Sequence, residues 1–437
     1  MQSDFIQPTT NPLILSLVKA MIPIALKMEK LDVRPSEHCL ELVKSIKNMP
    51  AILAVNHTDR CDPSVVAALS LKCQEDFYYL AARELFDENL GLRGWLMQNS
   101  GVYSVIRGTP EDADSKAETI ALIAQGKQKL VMFPEGDVTG RDDVMLPFKR
   151  DGIANILEAQ RICFEHESNR TVQVIPLAIY YEVSENAIPQ LKNCLSRQEE
   201  FLGLSNWNGP IEARVQRILF SMLRHLEQHY GKQTEAKAAD QRIRELSYFI
   251  TSLVANITGT DNYDQSSINT YLYSVRGRLQ RLIDNKTDSP ICFDNVLRKE
   301  NINSFQTGVH DLDRVQHLLI LLSTLQQQPA TLDVLWRIID RMEHLIIGST
   351  SAKGNRIAWI EAGQAINLES TVGEYSKNPN QAIDRTEEQL RRSMQNLLRQ
   401  LKEQSLALSE TVQKHFDTSA RTKMEHSGSD TVTEPDL

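Results

Sequence analysis

His57 and Asp62 stand five residues apart in Asn56-His57-Thr58-Asp59-Arg60-Cys61-Asp62-Pro63. A carboxylate at that distance can fold back onto an imidazole, accept its Nδ1 proton, fix the tautomer and leave Nε2 as a base. This is base-plus-orienter logic without a protein nucleophile; the nucleophile would be a substrate hydroxyl. Asp62-Pro63 also reads as a helix start, with Asp as the N-cap and Pro at the first helical position. A loop histidine beside a capping aspartate is therefore the plain alternative for the bare pair.

Three further groups of residues fit the same chemistry. Phe133-Pro134-Glu135-Gly136 offers a carboxylate beside a glycine that permits close backbone approach; a simple β-turn reads the same way. Gly101-Val102-Tyr103-Ser104-Val105-Ile106-Arg107-Gly108 ends a strand-like run in an arginine, which can grip a phosphate through two parallel hydrogen bonds or form a surface ion pair. Arg141, Lys149 and Arg150 follow the Glu135 turn and could serve the same anion or simply form a solvated face. Val174-Ile175-Pro176-Leu177-Ala178 is an apolar run broken by proline, fit for an acyl-chain wall or a buried strand.

The elements that must hold these residues come next. Short runs rich in β-formers at 51–55, 77–80, 102–106, 129–133 and 172–180 alternate with helical patterns at 64–71, 84–98, 115–125 and 152–164. That alternation predicts an α/β fold, a largely parallel or mixed sheet flanked by helices. His57, Arg107 and Glu135 then follow strand ends, where such folds collect their sites. From about residue 210 helical patterns take over, at 211–230, 234–256, 268–284, 311–327, 331–347 and 380–415. We read 1–30 as an amphipathic N-terminal segment, 31–210 as the α/β domain, 211–415 as a mainly α-helical region and 416–437 as a disordered tail.

At 100° per residue Leu13, Ile14, Leu17, Val18, Met21, Ile24, Ala25 and Met28 share one side of a helix, kinked near Pro23. The stripe is either an interfacial membrane anchor or a face packed on the domain's own core. It is too short, and too charged with Lys19 and Lys27, to span a bilayer.

The chain has 437 residues and a formal net charge of −9, with no basic half; this argues against nucleic acid as a partner. The six cysteines (Cys39, Cys61, Cys73, Cys163, Cys194 and Cys292) form no C-x-x-C pair and read as reduced thiols in the cytoplasm. The histidines show no zinc-type spacing, so no metal is expected.

The motifs taken in order, Asn-His-x-x-x-x-Asp, Gly-Val-Tyr-Ser-Val-Ile-Arg-Gly, Phe-Pro-Glu-Gly and Val-Ile-Pro-Leu-Ala, lie within about 125 residues. Together they resemble the glycerolipid acyltransferase superfamily, whose bacterial type member is the lysophosphatidate (1-acylglycerol-3-phosphate) acyltransferase. The resemblance covers roughly 45–185. It implies an O-acyltransferase with His57 as general base and Asp62 as its orienter, with Asn56, Gly101, Arg107, Glu135 and Gly136 holding the acceptor, and with Pro176 in a block tied to acyl-donor binding or fold support. The family's usual arginine after Phe-Pro-Glu-Gly is missing, because Asp137, Val138 and Thr139 follow Gly136; Arg141 or Lys149 could substitute.

No resident cofactor is implied, the thioester donor (acyl-coenzyme A or acyl-carrier protein) being a co-substrate. The implied acceptor is 1-acylglycerol-3-phosphate, in phospholipid biosynthesis or remodelling, with glycerol-3-phosphate, another lysolipid or an alcohol as alternatives. A lipid-binding scaffold that keeps the fold is the reading from a different class. A 16-carbon chain left in water costs on the order of 12 kcal/mol at about 0.8 kcal/mol per CH₂. The resemblance therefore favours membrane contact for residues 13–28, with the protein peripheral on the cytoplasmic face, and leaves the C-terminal helices as a surface for self-association.

Overall fold

In a computed structural model of the protein, the described residues are 5–47, 49–86, 91–105, 113–166, 170–233, 237–259, 268–284, 292–327 and 331–426. The element order begins α1 (Pro12–Met28), β1 (Leu31–Pro35), α2 (Glu37–Ser45), β2 (Ala51–Val55), α3 (Asp62–Cys73), β3 (Phe77–Ala82), α4 (Leu92–Gln98), β4 (Val102–Val105), α5 (Ala113–Gln125), β5 (Lys129–Met132), α6 (Arg150–His166) and β6 (Gln173–Val183). It continues with α7 (Ile188–Phe201), α8 (Ile211–His229), α9 (Ala239–Thr258), α10 (Ile268–Asp284), α11 (Cys292–Leu325), α12 (Leu332–Ile347), β7 (Arg356–Ala362), β8 (Ile366–Asn367), α13 (Val372–Lys377) and α14 (Pro379–His426).

Every residue of β2 and β5 is buried, and β6 is buried over most of its length. Strands apolar on both faces belong in a sheet covered on both faces. Alternation along β2 divides them: Ile52 and Ala54 join a core that includes Ile153, Ile156 and Leu157 of α6 and Leu390, Leu397 and Leu401 of α14. Leu53 and Val55 join the opposite core with Leu26 of α1, Val43 of α2 and Val65 and Leu69 of α3. A third core unites α7 to α12, through Leu191, Ile218, Leu246, Leu318 and Ile339 among others.

Among the described residues the sheet has eight strands in the order β1-β7-β6-β2-β5-β3-β4, with β8 paired to β6. β4, β3, β5, β2 and β6 run parallel, so their carboxyl ends share one edge. β7 is antiparallel to β6 and parallel to β1. The fold is thus the expected mixed α/β sheet followed by a largely helical C-terminal region, with one departure: residues 356–367, read as part of that helical region, form β7 and β8 of the sheet. β7 is the strand that joins β1 to β6. Its alternating burial fits a short strand whose partners lie far away in sequence.

Other boundaries shift. The helix expected over 84–98 is a 3₁₀ turn at Arg83–Phe86 and then α4, with 87–90 outside the described residues. α14 continues past the expected end at 415 to His426; residues 427–437 lie outside the described residues. Residues 6–10 are tied to the sheet. Ser104 N donates to the Ile6 carbonyl at 3.0 Å and Thr10 bridges Ser100, so residues 6–10 cover the edge of β4. α1 is capped by Asn11 and stays helical through Pro23. It buries Leu26 and packs Ile22 against the α3 side of the sheet, while Leu13, Leu17, Met21, Ile24 and Met28 face outward.

Candidate active site

β2 lies in mid-sheet between β5 and β6, and the loop at its carboxyl end carries His57. His57 Nδ1 is 2.9 Å from Asp62 Oδ2. The imidazole is mostly enclosed and stacks on Phe133 at the end of β5, with ring centroids 4.3 Å apart. Among the described residues nothing bonds Nε2. Asp62 is fully buried, and both its oxygens are engaged: Oδ2 also accepts the Asp59 backbone N–H at 2.9 Å, and Oδ1 accepts the Tyr181 hydroxyl at 2.6 Å. Burial raises the pKa of Asp62, while the hydrogen bonds from His57 and Tyr181 pull it down, and the net direction is upward. Burial likewise pushes the Tyr181 phenol far up, which keeps it a neutral donor.

The capping expectation is corrected. α3 begins at Asp62, its N-cap is Cys61 with no side-chain hydrogen bond, and the Asp62 carboxylate is turned toward the imidazole instead.

The residues expected to bind the acceptor have different fates. Asn56 is buried and fully used: its amide donates to Thr58 Oγ1 and the Ile179 carbonyl, and its oxygen accepts Ile179 N–H at 2.7 Å. It ties the His57 loop to β6 and has no group left for a ligand. Glu135 is buried, with Oε2 accepting the His57 backbone N–H and Oε1 accepting Leu146 N–H, both at 3.0 Å. Burial pushes its carboxyl up to about 7 against those two bonds. Glu135 thus holds the His57 loop from the backbone side.

Gly136 has φ +81°, a conformation that favours glycine, and a Cβ there would push on the Lys149 side chain, whose Cε lies 2.6 Å away. Gly101 precedes Val102, which registers with Tyr79 and through it with Val131 and Leu53. It is therefore level with the early half of β2, several residues short of the His57 loop, where its φ of +87° makes a turn against Tyr78. That register does not bring Gly101 beside His57. Arg107 lies outside the described residues.

Arg141 is spent on a two-pronged pair with Asp143, at 2.8 and 2.6 Å, while its carbonyl accepts Thr58 Oγ1. Its guanidinium is not free for an anion. Lys149 has no carboxylate partner among the described residues and lies over the Tyr273 ring at 5.2 Å. Arg150 pairs with Asp384 on α14. Pro176 is in mid β6, paired with Ala54.

Sequence reading missed Tyr181 and Arg356. Tyr181 lies 119 positions from Asp62, and only the β6 alternation places it on the same face as Ile179 and Leu177. Asp59 was visible inside the motif but its partner Arg356 was not. The carboxyl-edge loops are also braced from the C-terminal half: Arg337 Nη1 pairs with Asp142 at 2.7 Å, and Gln395 of α14 accepts Met145 N–H at 2.7 Å while donating to the Asp143 carbonyl at 2.9 Å.

A histidine base with a buried orienter at a sheet edge suits deprotonation of a hydroxyl. Residues 30–180 match the protein-family model described as Acyltransferase. The match covers about a third of the chain. The matched segment spans β1 to most of β6 and contains both His57 and Asp62, but not β7, α12 or α14. No curated protein matches the chain. Among the described residues no helix is long and apolar enough to cross a membrane, and Cys39, Cys61, Cys73, Cys163 and Cys194 are free and buried.

Proposed function

We propose that the protein is an O-acyltransferase that moves a fatty acyl group from a thioester to the hydroxyl of a glycerolipid, with 1-acylglycerol-3-phosphate as acceptor. The observation that carries this reading is the His57 Nδ1–Asp62 Oδ2 contact at 2.9 Å, with Nε2 unpartnered among the described residues, inside a segment that matches an acyltransferase family model. Nε2 takes the hydroxyl proton as the oxygen attacks the thioester carbonyl. The tetrahedral intermediate then collapses, the C–S bond breaks, and the imidazolium returns its proton to the departing thiolate. Asp62 holds the tautomer and stabilises the imidazolium. Base catalysis of this kind is worth about 10²–10⁴ in rate. The donor is acyl-coenzyme A or acyl-carrier protein. Lys149, which packs its stem on the Gly136 turn and has no carboxylate partner among the described residues, is assigned to the acceptor phosphate.

The reaction takes place at a membrane surface, on the cytoplasmic face. The support is α1, whose outward stripe runs Leu13, Leu17, Met21, Ile24 and Met28, with Leu13 81% exposed. These spacings of three and four residues make one continuous apolar face. It is flanked by exposed Leu92 and Trp95 on α4, a helix hydrogen-bonded to the start of α1 through Asn11 N and the Asn99 carbonyl.

The test is a panel assay. Purified full-length protein is given each thioester with lysophosphatidate, glycerol-3-phosphate, neutral lysolipids and long-chain alcohols, and products are weighed by mass spectrometry. Diacylated phosphatidate formed faster than any other product supports the reading. Acylation of the alcohols alone refutes the phosphate assignment, and no product from any pair refutes acyl transfer.

A further inference from the structure

Arg356 opens β7, outside the segment that matches the family model, yet its guanidinium reaches the catalytic loop. Nη1 donates to Asp59 Oδ2 at 2.7 Å. One face of the guanidinium lies 3.6 Å from the Trp336 ring centroid, and its centre is also 5.1 Å from that of the Tyr181 ring. Arg356, Trp336 and Tyr181 are each about 1% exposed. The position is set by the sheet, because Arg356 registers with Leu31 on β1 and Val183 on β6, and its N–H donates to the Lys30 carbonyl.

These contacts converge on Asp62. Besides His57, its carboxylate has two donors, the Asp59 N–H and the Tyr181 hydroxyl. Arg356 touches the owner of each. We infer that Arg356 is a positioning residue for the His57–Asp62 pair, acting through Asp59 and Tyr181, so that the C-terminal half completes the catalytic centre of the matched segment. The inference rests on the acyl-transfer reading for its kinetic consequences and on the contacts alone for its structural ones.

The physical reason is charge. Asp59 is a second buried carboxylate, three residues from Asp62. Unpaired, it would take up a proton or turn outward, and its backbone N–H would leave Asp62 with it. Arg356 neutralises it in place, and burial notwithstanding, that guanidinium holds the Asp59 carboxyl below the usual range. A buried ion pair that loses one member leaves an uncompensated charge, whereas losing both members is far milder. Asp59 Oδ1 also accepts Cys61 N–H at 2.9 Å, a bond that asparagine can keep.

The experiment compares full-length Arg356→Met, Arg356→Lys and the double variant Asp59→Asn/Arg356→Met with the wild type. Two readouts are taken: steady-state acyl transfer, and the downfield proton resonance of the His57–Asp62 hydrogen bond, which needs no substrate. A catalytic group displaced by about 1 Å loses on the order of 10²-fold. Arg356→Met is expected to lower kcat by about that factor with both KM values within about threefold, and to lose the resonance. The double variant is expected to regain at least tenfold in kcat and the resonance, and Arg356→Lys to fall between. Unchanged kcat and resonance in Arg356→Met would overturn the inference. Should Arg356→Met fail to fold, a folded double variant without the resonance overturns it equally. A wild type that transfers no acyl group refutes the acyl-transfer reading instead, and the resonance still decides this one.

Discussion

Glu135 offers a quantitative test of how the His57 loop is held. Its carboxyl is buried, its two oxygens accept the His57 and Leu146 backbone amides, and burial raises it from 4.5 to about 7. Below pH 4.5 the group is protonated in both folded and unfolded chains. Between pH 4.5 and 7 the unfolded chain gives up the proton while the native state keeps it, so the native state loses stability as pH rises. At about 1.36 kcal/mol per pH unit, the loss amounts to about 3 kcal/mol by pH 7.5 and is flat thereafter.

Glu135→Gln removes the titration. Its amide NH₂ faces one of the two N–H donors, a misfit costing about 1–3 kcal/mol at every pH. The variant is therefore expected to be less stable than the wild type at pH 5. The gap should close, or reverse, by pH 8, a relative shift of about 3 kcal/mol. Urea unfolding of both proteins at pH 5, 6, 7 and 8 at fixed ionic strength measures it, with equal slopes confirming that like transitions are compared. Groups that titrate in both proteins cancel in the difference. Parallel stability curves, or a gap that widens with pH, would refute the burial argument.

Three further expectations follow from the contacts. Tyr181→Phe removes the donor 2.6 Å from Asp62 Oδ1, costs about 1.5–3 kcal/mol for a hydrogen bond to a charged group, and should lower kcat about tenfold while thermal unfolding stays cooperative; unchanged kcat would deny Tyr181 any hold on the orienter. Leu17→Ser/Met21→Ser changes two outward residues of α1, so stability should hold while partition onto anionic vesicles, measured by sedimentation, falls tenfold or more at about 1.5–3 kcal/mol per fully buried side chain; equal sedimentation of variant and wild type would remove α1 as the contact. A chain ending at residue 210 lacks β7, which separates β1 from β6, and should show no cooperative urea transition and no near-ultraviolet dichroism; a sharp transition would mean the sheet closes without it.

Some of this was legible in the sequence. The His57–Asp62 contact follows from a five-residue spacing on one loop, which leaves few places for the carboxylate to go. The strands over 51–180 were visible because each is a short run of β-formers between helical patterns. Asn56 and Glu135 show where such reading stops. Both are polar residues beside the base, and residue type does not say whether a side chain faces a substrate or a neighbouring backbone amide; here both face backbone. Gly101 sits inside a motif, but its level in the sheet depends on inter-strand register. β7 was hidden because Arg-Ile-Ala-Trp-Ile-Glu-Ala sits among helices and pairs with strands far away along the chain. For the same reason Arg356 could not be connected to Asp59, 297 residues away.

The central claim is that the His57 imidazole deprotonates the acceptor hydroxyl. Its most direct measurement is the rate of labelled acyl transfer to lysophosphatidate by the wild type, His57→Ala and Asp62→Asn, each shown to be folded. His57→Ala is expected to lose about 10²–10⁴-fold in kcat, and Asp62→Asn a large part of that, with donor and acceptor affinities little changed. Transfer by His57→Ala at the wild-type rate would contradict the account.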